Sequence, residues 1–250
     1  VLPLLDQLSR NPSEGIKVLI VVPTRELALQ IEKEIQGFAY FLDLTALAIY
    51  GGGDGINFTD QKKALVEGTD IIVATPGKLL AHMNLDYVDF STLKFLVLDE
   101  ADRMLDMGFI EDIQKIIDAC PAKRQNLMFS ATMPHNIKQL ANKLLTDPFE
   151  ITLALSKPAE GVLQAVYLTY ESQKIGLIDT LIDGKDDYKS ILIFSSTKRK
   201  VFEIVQSLKS KNFDVDGISS ELDQQKREEV LMKFRSKQTR ILVATDVLSR

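Results

Sequence analysis

Short apolar segments alternate with helical patterns along most of this chain, and that alternation limits the folds it can adopt. The strand candidates, rich in β-branched and other apolar residues, are 17–22, 45–50, 71–74, 95–98, 126–129, 150–153, 163–170, 190–194, 214–218 and 240–244. The helical patterns, in which apolar residues recur at helical spacing, include 26–38, 110–119, 137–145, 175–182, 198–210 and 224–235. Strands that alternate with helices of this length form βαβ units. The sequence therefore predicts an α/β fold of mostly parallel sheets flanked by helices.

One polar segment interrupts the alternation. Residues 156–161, Ser-Lys-Pro-Ala-Glu-Gly, combine charge with Pro and Gly, as interdomain linkers often do. We therefore predict two α/β domains, residues 1–155 and 162–250, joined by a linker at 156–161. The chain begins without Met and ends directly after a strand candidate. We interpret it as a fragment in which both domains are truncated.

The composition is that of an ordinary soluble globular protein, with 45% hydrophobic and 26% charged residues. The formal net charge of −5 argues against nucleic-acid binding through bulk positive charge, so any such contact must use a few placed groups. Because the sequence has neither a bilayer-length apolar stretch nor a signal-peptide pattern, we expect no membrane association. Cys120 is the single cysteine, which fits a reducing, cytoplasmic location. His82 and His135 have no partners at metal-ligand spacing and are interpreted as ordinary surface or core residues.

Two adjacent carboxylates follow the strand candidate at 95–98. The carboxyl ends of parallel strands form the edge where ligands bind, and Asp99 and Glu100 stand at that edge. One carboxylate is enough to hold Mg²⁺ through its waters, and its neighbour can orient or deprotonate a water that attacks a γ-phosphate. Acidic residues at strand ends also occur for purely structural reasons. The pair is typical of a nucleoside-triphosphate hydrolase but does not establish one by itself.

Two further segments follow strand candidates and open helical patterns. Thr24 and Arg25 come after the first strand; helix capping by Thr24 is the favoured interpretation, and binding of a backbone phosphate is the alternative. In the second segment, Thr75-Pro76-Gly77-Lys78, capping and phosphate binding are equally supported. A glycine so early in a helix is costly, which suggests close approach by another backbone. Gly51 and Gly52 indicate either a turn or close passage of a nucleic-acid strand.

Hydroxyls and acids at other strand ends complete the set of candidates. Ser130 and Thr132 follow the strand at 126–129 and could hydrogen-bond a carboxylate such as Asp102. Capping of the next helix is the simpler local interpretation of these hydroxyls. Thr245 and Asp246 follow the last strand, and each alone is ordinary.

Taken in order, these segments resemble the DEAD-box family of ATP-dependent RNA helicases. The matching segments are residues 23–27 (motif Ia), 51–52, 75–78 (motif Ib), 99–102 (motif II), 130–132 (motif III), 193–197 (motif IV), Gln224 with Arg227, and 244–246 with 249–250 (start of motif V). Each motif is a weak signal alone, whereas their ordered series is specific. The resemblance implies two RecA-like domains in an ATP hydrolase that unwinds or remodels RNA.

The resemblance also implies a role for each matching residue. Asp99 would hold the Mg²⁺ of ATP, and Glu100 would position the attacking water. Asp102, Ser130 and Thr132 would couple nucleotide state to the RNA site, and Asp246 would meet the ribose of ATP. The residues that would hold RNA by its backbone are Thr24, Arg25, Gly51, Gly52, Thr75, Pro76, Gly77, Lys78 and Thr245. Because phosphate and sugar contacts carry no sequence information, single-stranded or short duplex RNA should bind largely independently of its sequence.

The chain departs from the family pattern at several points. Lys78 stands where the family usually has Arg, which keeps the charge but loses a bidentate phosphate contact. Ser219 and Ser220 replace a common His-Gly pair. The glycine-rich P-loop, the Q motif and motif VI have no counterpart in these 250 residues, so we expect this piece alone to be inactive as an ATPase.

Two other interpretations stay open. One is a related ATPase that acts on DNA. The other is a non-catalytic RNA-binding or scaffolding protein that lacks a P-loop. A G-x-G-K-T sequence upstream of Val1 would separate the enzyme from the scaffold.

Overall fold

The computed structural model describes residues 1–51, 55–153, 161–219 and 222–245, without the side chains of residues 55–57 and 224. Internal contacts divide the chain into two units, Val1–Thr152 and Leu153–Arg250. Of the predicted linker only Gly161 lies within the described residues, so that boundary stays a prediction. None of the described helices combines the length and apolar character needed to cross a bilayer.

The first unit alternates helices and strands from its first residues. Its elements are α1 (Leu2–Arg10), β1 (Val18–Val21), α2 (Arg25–Phe38), β2 (Ala46–Ile49), α3 (Gly55–Glu67), β3 (Ile71–Ala74), α4 (Pro76–Met83), β4 (Phe95–Leu98), α5 (Ala101–Asp106), α6 (Ile110–Ala119), β5 (Gln125–Met128) and α7 (His135–Leu144). The strands form one parallel sheet in the order β2-β3-β1-β4-β5. All five strands lie where the apolar segments predicted them, within one or two residues.

Helices cover both faces of this sheet. Side chains such as Leu19 and Leu96 point to one face, where they pack against α4, α5, α6 and α7. Their neighbours Ile20 and Val97 point to the other face, which α1 and α2 cover. Every residue of β1, β3 and β4 is therefore buried. Burial on both faces explains why these strands are continuous apolar runs instead of alternating patterns.

The second unit contains a smaller parallel sheet. Its elements are a 3₁₀ turn (Glu171–Gln173), α8 (Lys174–Ile182), β6 (Ile191–Ser195), α9 (Lys198–Ser210), β7 (Val215–Ile218), α10 (Gln224–Arg235) and β8 (Ile241–Thr245). The strand order is β6-β8-β7, so β8 lies in the centre. The apolar core of this unit joins α8 and α9 to one face of the sheet.

Two predicted strands are wrong. Residues 150–153 and 163–170 have no strand structure, and their apolar side chains are largely exposed, with Leu163 at 94% and Leu168 at 99%. A strand exists only where its N–H and C=O groups pair with a neighbour. Neither segment pairs with any strand in the described part of the chain. Their β-branched and aromatic residues favour strand conformation locally, but no neighbouring strand pairs with them in the described residues.

Candidate functional site

The carboxyl ends of the first sheet gather most of the predicted site residues at one edge. Because β1, β3, β4 and β5 run in the same direction, the segments that follow them leave the sheet on the same side. Thr24, Thr75, Asp99 and Ser130 each come one to three residues after one of these strands. This edge is where open α/β sheets bind ligands.

Asp99 and Glu100 mark a sharp change in backbone conformation. The Asp99 N–H donates to the carbonyl of Val21 at 3.0 Å, which continues the ladder between β4 and β1. Glu100 then adopts a left-handed conformation, with φ 48° and ψ 49°, as the residue before α5. Its own N–H donates to Asp99 Oδ1 at 2.9 Å. A left-handed non-glycine residue costs about 1–2 kcal/mol, and such strain is concentrated at functional sites.

The donor set at this edge suits Mg²⁺ held mainly by its own waters and a bound phosphate. Among the described residues there is no cluster of three or more His, Cys, Asp or Glu that could cage a metal. Mg²⁺ in nucleotide sites needs only one or two carboxylates and takes its other ligands from waters and phosphate oxygens. Asp99 is half-buried at the strand end and meets that requirement.

Asp102 is tied to the segment that follows β5. Its Oδ2 accepts hydrogen bonds from the Thr132 N–H at 2.9 Å and the Thr132 hydroxyl at 2.7 Å. Its N–H donates to Ser130 Oγ at 3.2 Å, and Ser130 Oγ in turn donates to the Thr132 carbonyl at 2.7 Å. Burial opposes ionisation of this carboxyl, but the hydrogen bonds outweigh it and keep the pKa of Asp102 below its usual value. The hydroxyls thus bond to Asp102, and α7 begins after Pro134 without a side-chain cap.

Thr24 and Thr75 occupy equivalent cap positions but use their hydroxyls differently. Thr24 Oγ1 accepts a hydrogen bond from the Leu27 N–H at 3.3 Å and so caps α2. Thr75 makes no capping hydrogen bond to α4; its hydroxyl lies 3.5 Å from the carbonyl of Ile49. Of the two interpretations left open for this segment, capping of α4 by the Thr75 side chain is not observed.

Gly77 has open space above it. A Cβ at this position would have no heavy atom within 4 Å, and Gly77 is exposed in the first turn of α4. A glycine costs a helix roughly 1 kcal/mol relative to alanine, and internal packing does not require one here. A Cβ at Gly51 would likewise have no heavy atom within 4 Å. Both positions leave room for a ligand backbone.

Two cations at this edge lie over aromatic rings. The Arg25 guanidinium carbon is 4.4 Å from the centre of the Tyr50 ring. Lys78 Nζ is 4.5 Å from the centre of the Phe58 ring. Sequence reasoning named both cations but neither ring. No local pattern marks Phe58, because α3, which carries it, meets α4 only in the folded chain.

The remaining predicted residues give less information. Gly52, Asp246, Ser249 and Arg250 lie outside the described residues, as does the side chain of Gln224. Pro76 is buried at the first position of α4. Thr245 ends β8 and is 8% exposed.

Comparisons with known proteins agree with this architecture. The family model for DEAD/DEAH box helicases matches residues 1–140, and the model for the helicase conserved C-terminal domain matches residues 173–250. The chain belongs to the DEAD/DEAH box helicase family. The prediction of family and the prediction of RecA-like parallel sheets flanked by helices are both confirmed.

Individual relatives belong to the same family. A DEAD-box ATP-dependent RNA helicase CshA from Bacillus licheniformis is 38% identical over 251 residues, covering 100% of this chain and 50% of that protein. The crystal structure of a DEAD box protein from the hyperthermophile Methanococcus jannaschii matches 99% of this chain and 65% of its own, at TM-score 0.56 and 37% identity. Dbp5 from S. cerevisiae, bound to RNA and ADP BeF3, matches 98% of this chain and 62% of its own, at TM-score 0.79 and 25% identity. The chain spans about half the length of the curated relatives it matches.

Proposed function

We propose that the protein carrying this chain is an ATP-dependent RNA helicase of DEAD-box type, which couples ATP binding and hydrolysis to local unwinding or remodelling of RNA. The observation that carries the proposal is the arrangement at the sheet edge. Asp99 and a strained Glu100 follow β4, and Asp102 accepts hydrogen bonds from Thr132, which follows β5. The names of the relatives, which are RNA helicases, support the same activity. A cytoplasmic location is part of the proposal.

The acidic residues would have different roles in ATP hydrolysis. Asp99 would hold Mg²⁺, which would neutralise charge on the phosphates. The Glu100 carboxylate would orient the attacking water and take its proton. The left-handed backbone at Glu100 interrupts the extended run that ends at Asp99, which supports separate roles for the two residues. Asp102, held by Thr132 and Ser130, would relay changes at this edge to the segment after β5.

The remaining residues of the edge would hold RNA by its backbone. Arg25 and Lys78 supply positive charge, and Gly77 and Gly51 leave open space for a sugar–phosphate backbone. Thr24, Thr75 and Pro76 shape the helix ends beside these residues. Gly52, Thr245 and Asp246 keep the roles that the family resemblance implies, with Asp246 on the ribose of ATP. The few charged contacts are consistent with a chain of net charge −5.

A single conservative substitution tests this proposal. In the protein that carries this chain, Glu100→Gln should reduce RNA-stimulated ATP turnover by about 10²–10⁴-fold, because an amide cannot accept the proton. Affinities for ATP and RNA should stay within a few-fold, since the shape of the side chain is kept. Glu111→Gln, at an exposed residue of α6, is the matched control and should leave turnover unchanged. Turnover by Glu100→Gln close to that of the parent would contradict the assignment.

A further inference from the structure

A cluster built around two buried polar side chains lies beside the proposed RNA site and has no role in the chemistry described so far. The cluster consists of Phe58 and Gln61 on α3, His82 on α4, and Tyr87, and we call it the His82 cluster. Gln61 is 4% exposed and His82 is 0% exposed. Apolar residues would pack two helices together without the cost of burying polar groups. Polar side chains at this depth therefore call for an explanation.

Hydrogen bonds and burial together define the protonation state of His82. Its Nε2 lies 3.0 Å from Gln61 Oε1, which can only accept, so Nε2 carries a proton. Its Nδ1 contacts the Tyr87 hydroxyl, which can donate or accept. Burial, and secondarily the charge of Lys78, lowers the pKa of His82 to about 4, so the ring is neutral at pH 7 and Nδ1 accepts from the Tyr87 hydroxyl.

The same residues support both cations of the proposed RNA site. The His82 ring stacks on Phe58, with ring centres 4.4 Å apart and planes 12° apart. Lys78 Nζ lies 4.5 Å from the centre of that Phe58 ring. Gln61 Nε2 donates to the carbonyl of Tyr50 at 3.4 Å, and the Tyr50 ring carries the Arg25 guanidinium at 4.4 Å. One buried pair, Gln61 and His82, thus contacts the Phe58 ring and the backbone of Tyr50, the two residues on whose rings the cations lie.

We propose that Gln61 and His82 are positioning residues of the RNA site, which hold Phe58 and Tyr50 so that Lys78 and Arg25 are ordered before RNA arrives. This inference rests on the proposed role of those two cations. A flexible lysine loses rotamer freedom when it binds a phosphate, and a side chain that is already ordered loses less. The cluster would therefore strengthen RNA binding without touching RNA.

A double-mutant cycle tests the inference. His82→Phe, Lys78→Ala and the double variant are made in the protein that carries this chain, and the affinity for a fluorescent single-stranded RNA is measured. Lys78→Ala should weaken binding about tenfold by removing a charged phosphate contact. His82→Phe should weaken it roughly two- to fivefold, the size of a cation–π contribution. Because His82 acts partly through Lys78, the double variant should lose measurably less affinity than the product of the two single losses.

Controls separate positioning from a purely structural role. His135→Phe changes the other histidine, which is exposed on α7, and should leave RNA affinity unchanged. If His82→Phe lowers the melting temperature but leaves the RNA affinity of the folded protein unchanged, or if the cycle is additive, the inference is wrong. If Lys78→Ala itself has no effect on RNA binding, the proposed phosphate contact fails and the inference fails with it.

Two further measurements do not depend on the folding of His82→Phe. Tyr87→Phe removes only the hydroxyl that faces Nδ1 and keeps the ring; it should weaken RNA binding by about twofold. The ¹⁵N resonances of the His82 imidazole in the unsubstituted protein should show a neutral ring protonated at Nε2 at pH 6. A ring protonated at Nδ1, or unchanged RNA affinity of Tyr87→Phe, would overturn the inference.

Discussion

The five-stranded sheet of the first unit and the three-stranded sheet of the second both bury a central strand completely, β1 and β8, but the apolar edge strand β6 of the second sheet keeps one side exposed. β1, with the sequence Val-Leu-Ile-Val, is buried at every residue. β6, with the sequence Ile-Leu-Ile-Phe-Ser, alternates between half-buried and exposed residues, and Leu192 and Phe194 are 48% and 44% exposed. An apolar strand therefore indicates that a face is available for burial, without indicating how many faces are covered.

The difference bears on where chemistry can be placed. A sheet covered on both faces leaves its edges as the places where polar side chains reach a ligand, and the supporting core is rigid. In the first unit Asp99, Glu100 and Asp102 extend from such a core. Precise catalytic geometry needs this kind of support. We therefore expect the first unit to respond most strongly to changes in its core.

The largest expected effect compares one leucine from each sheet. Leu96 in β4 is 0% exposed, and Leu192 in β6 is 48% exposed. Leu96→Ala should destabilise the first unit by about 3 kcal/mol, because it removes buried area and leaves a cavity. Leu192→Ala should lower the free energy of unfolding of the second unit by less than about 1 kcal/mol, as substitutions on exposed surface usually do. Urea titration followed by peptide-resolved hydrogen exchange reports each unit separately. Equal destabilisation by Leu96→Ala and Leu192→Ala would mean that both faces of β6 are covered.

An intermediate effect is expected from pH, and only in the first unit, which contains both histidines. The pKa of His82 falls from 6.5 to about 4 on folding because of burial and then the charge of Lys78. The unfolded chain therefore binds the proton more tightly, and this contribution to stability is present above pH 6.5 and lost as pH falls towards 4. Between pH 7 and pH 5 the first unit should lose about 2 kcal/mol.

The His82 contribution can be isolated by substitution. Burial raises the pKa of Glu32 in the same unit, so protonation of Glu32 acts in the opposite direction. The same urea titrations of His82→Phe at pH 7 and pH 5 should show a smaller loss than the parent, whereas His135→Phe should match the parent. Equal losses in the parent and in His82→Phe would refute the predicted neutral, buried His82.

The smallest expected effect probes the covered face of the second sheet. At Gly217 in β7, a Cβ would lie 2.9 Å from Val205 Cγ2 and 3.3 Å from Val201 Cγ1, both on α9. Gly217→Ala should destabilise the second unit by roughly 1–2 kcal/mol through overpacking. Gly176→Ala, in α8, meets nothing within 4 Å and should stabilise by up to about 1 kcal/mol through helix propensity. Thermal melts of the two variants give the sign of each change. A neutral Gly217→Ala would show that α9 can move away from β7.

The sequence by itself determined the class of fold and the identity of the acidic edge. The strands of both sheets lie within one or two residues of segments predicted as strands, since a strand buried on one or both faces must be apolar at the positions that contact helices. Asp99, Glu100 and Asp102 were identifiable because polar groups directly after such runs must stand at a sheet edge.

Tertiary structure decided which apolar segments found partners. Half of residues 163–170 are β-branched or aromatic, yet they form no strand, because pairing requires a neighbour that local sequence does not specify. The His82 cluster was also beyond sequence reasoning. Gln61 and His82 are 21 residues apart in the chain and bond only because α3 and α4 meet. The periodicity of apolar residues predicts which face of a helix or strand can be buried. The actual exposure, pKa and hydrogen bonds of a side chain depend on which elements the fold brings together.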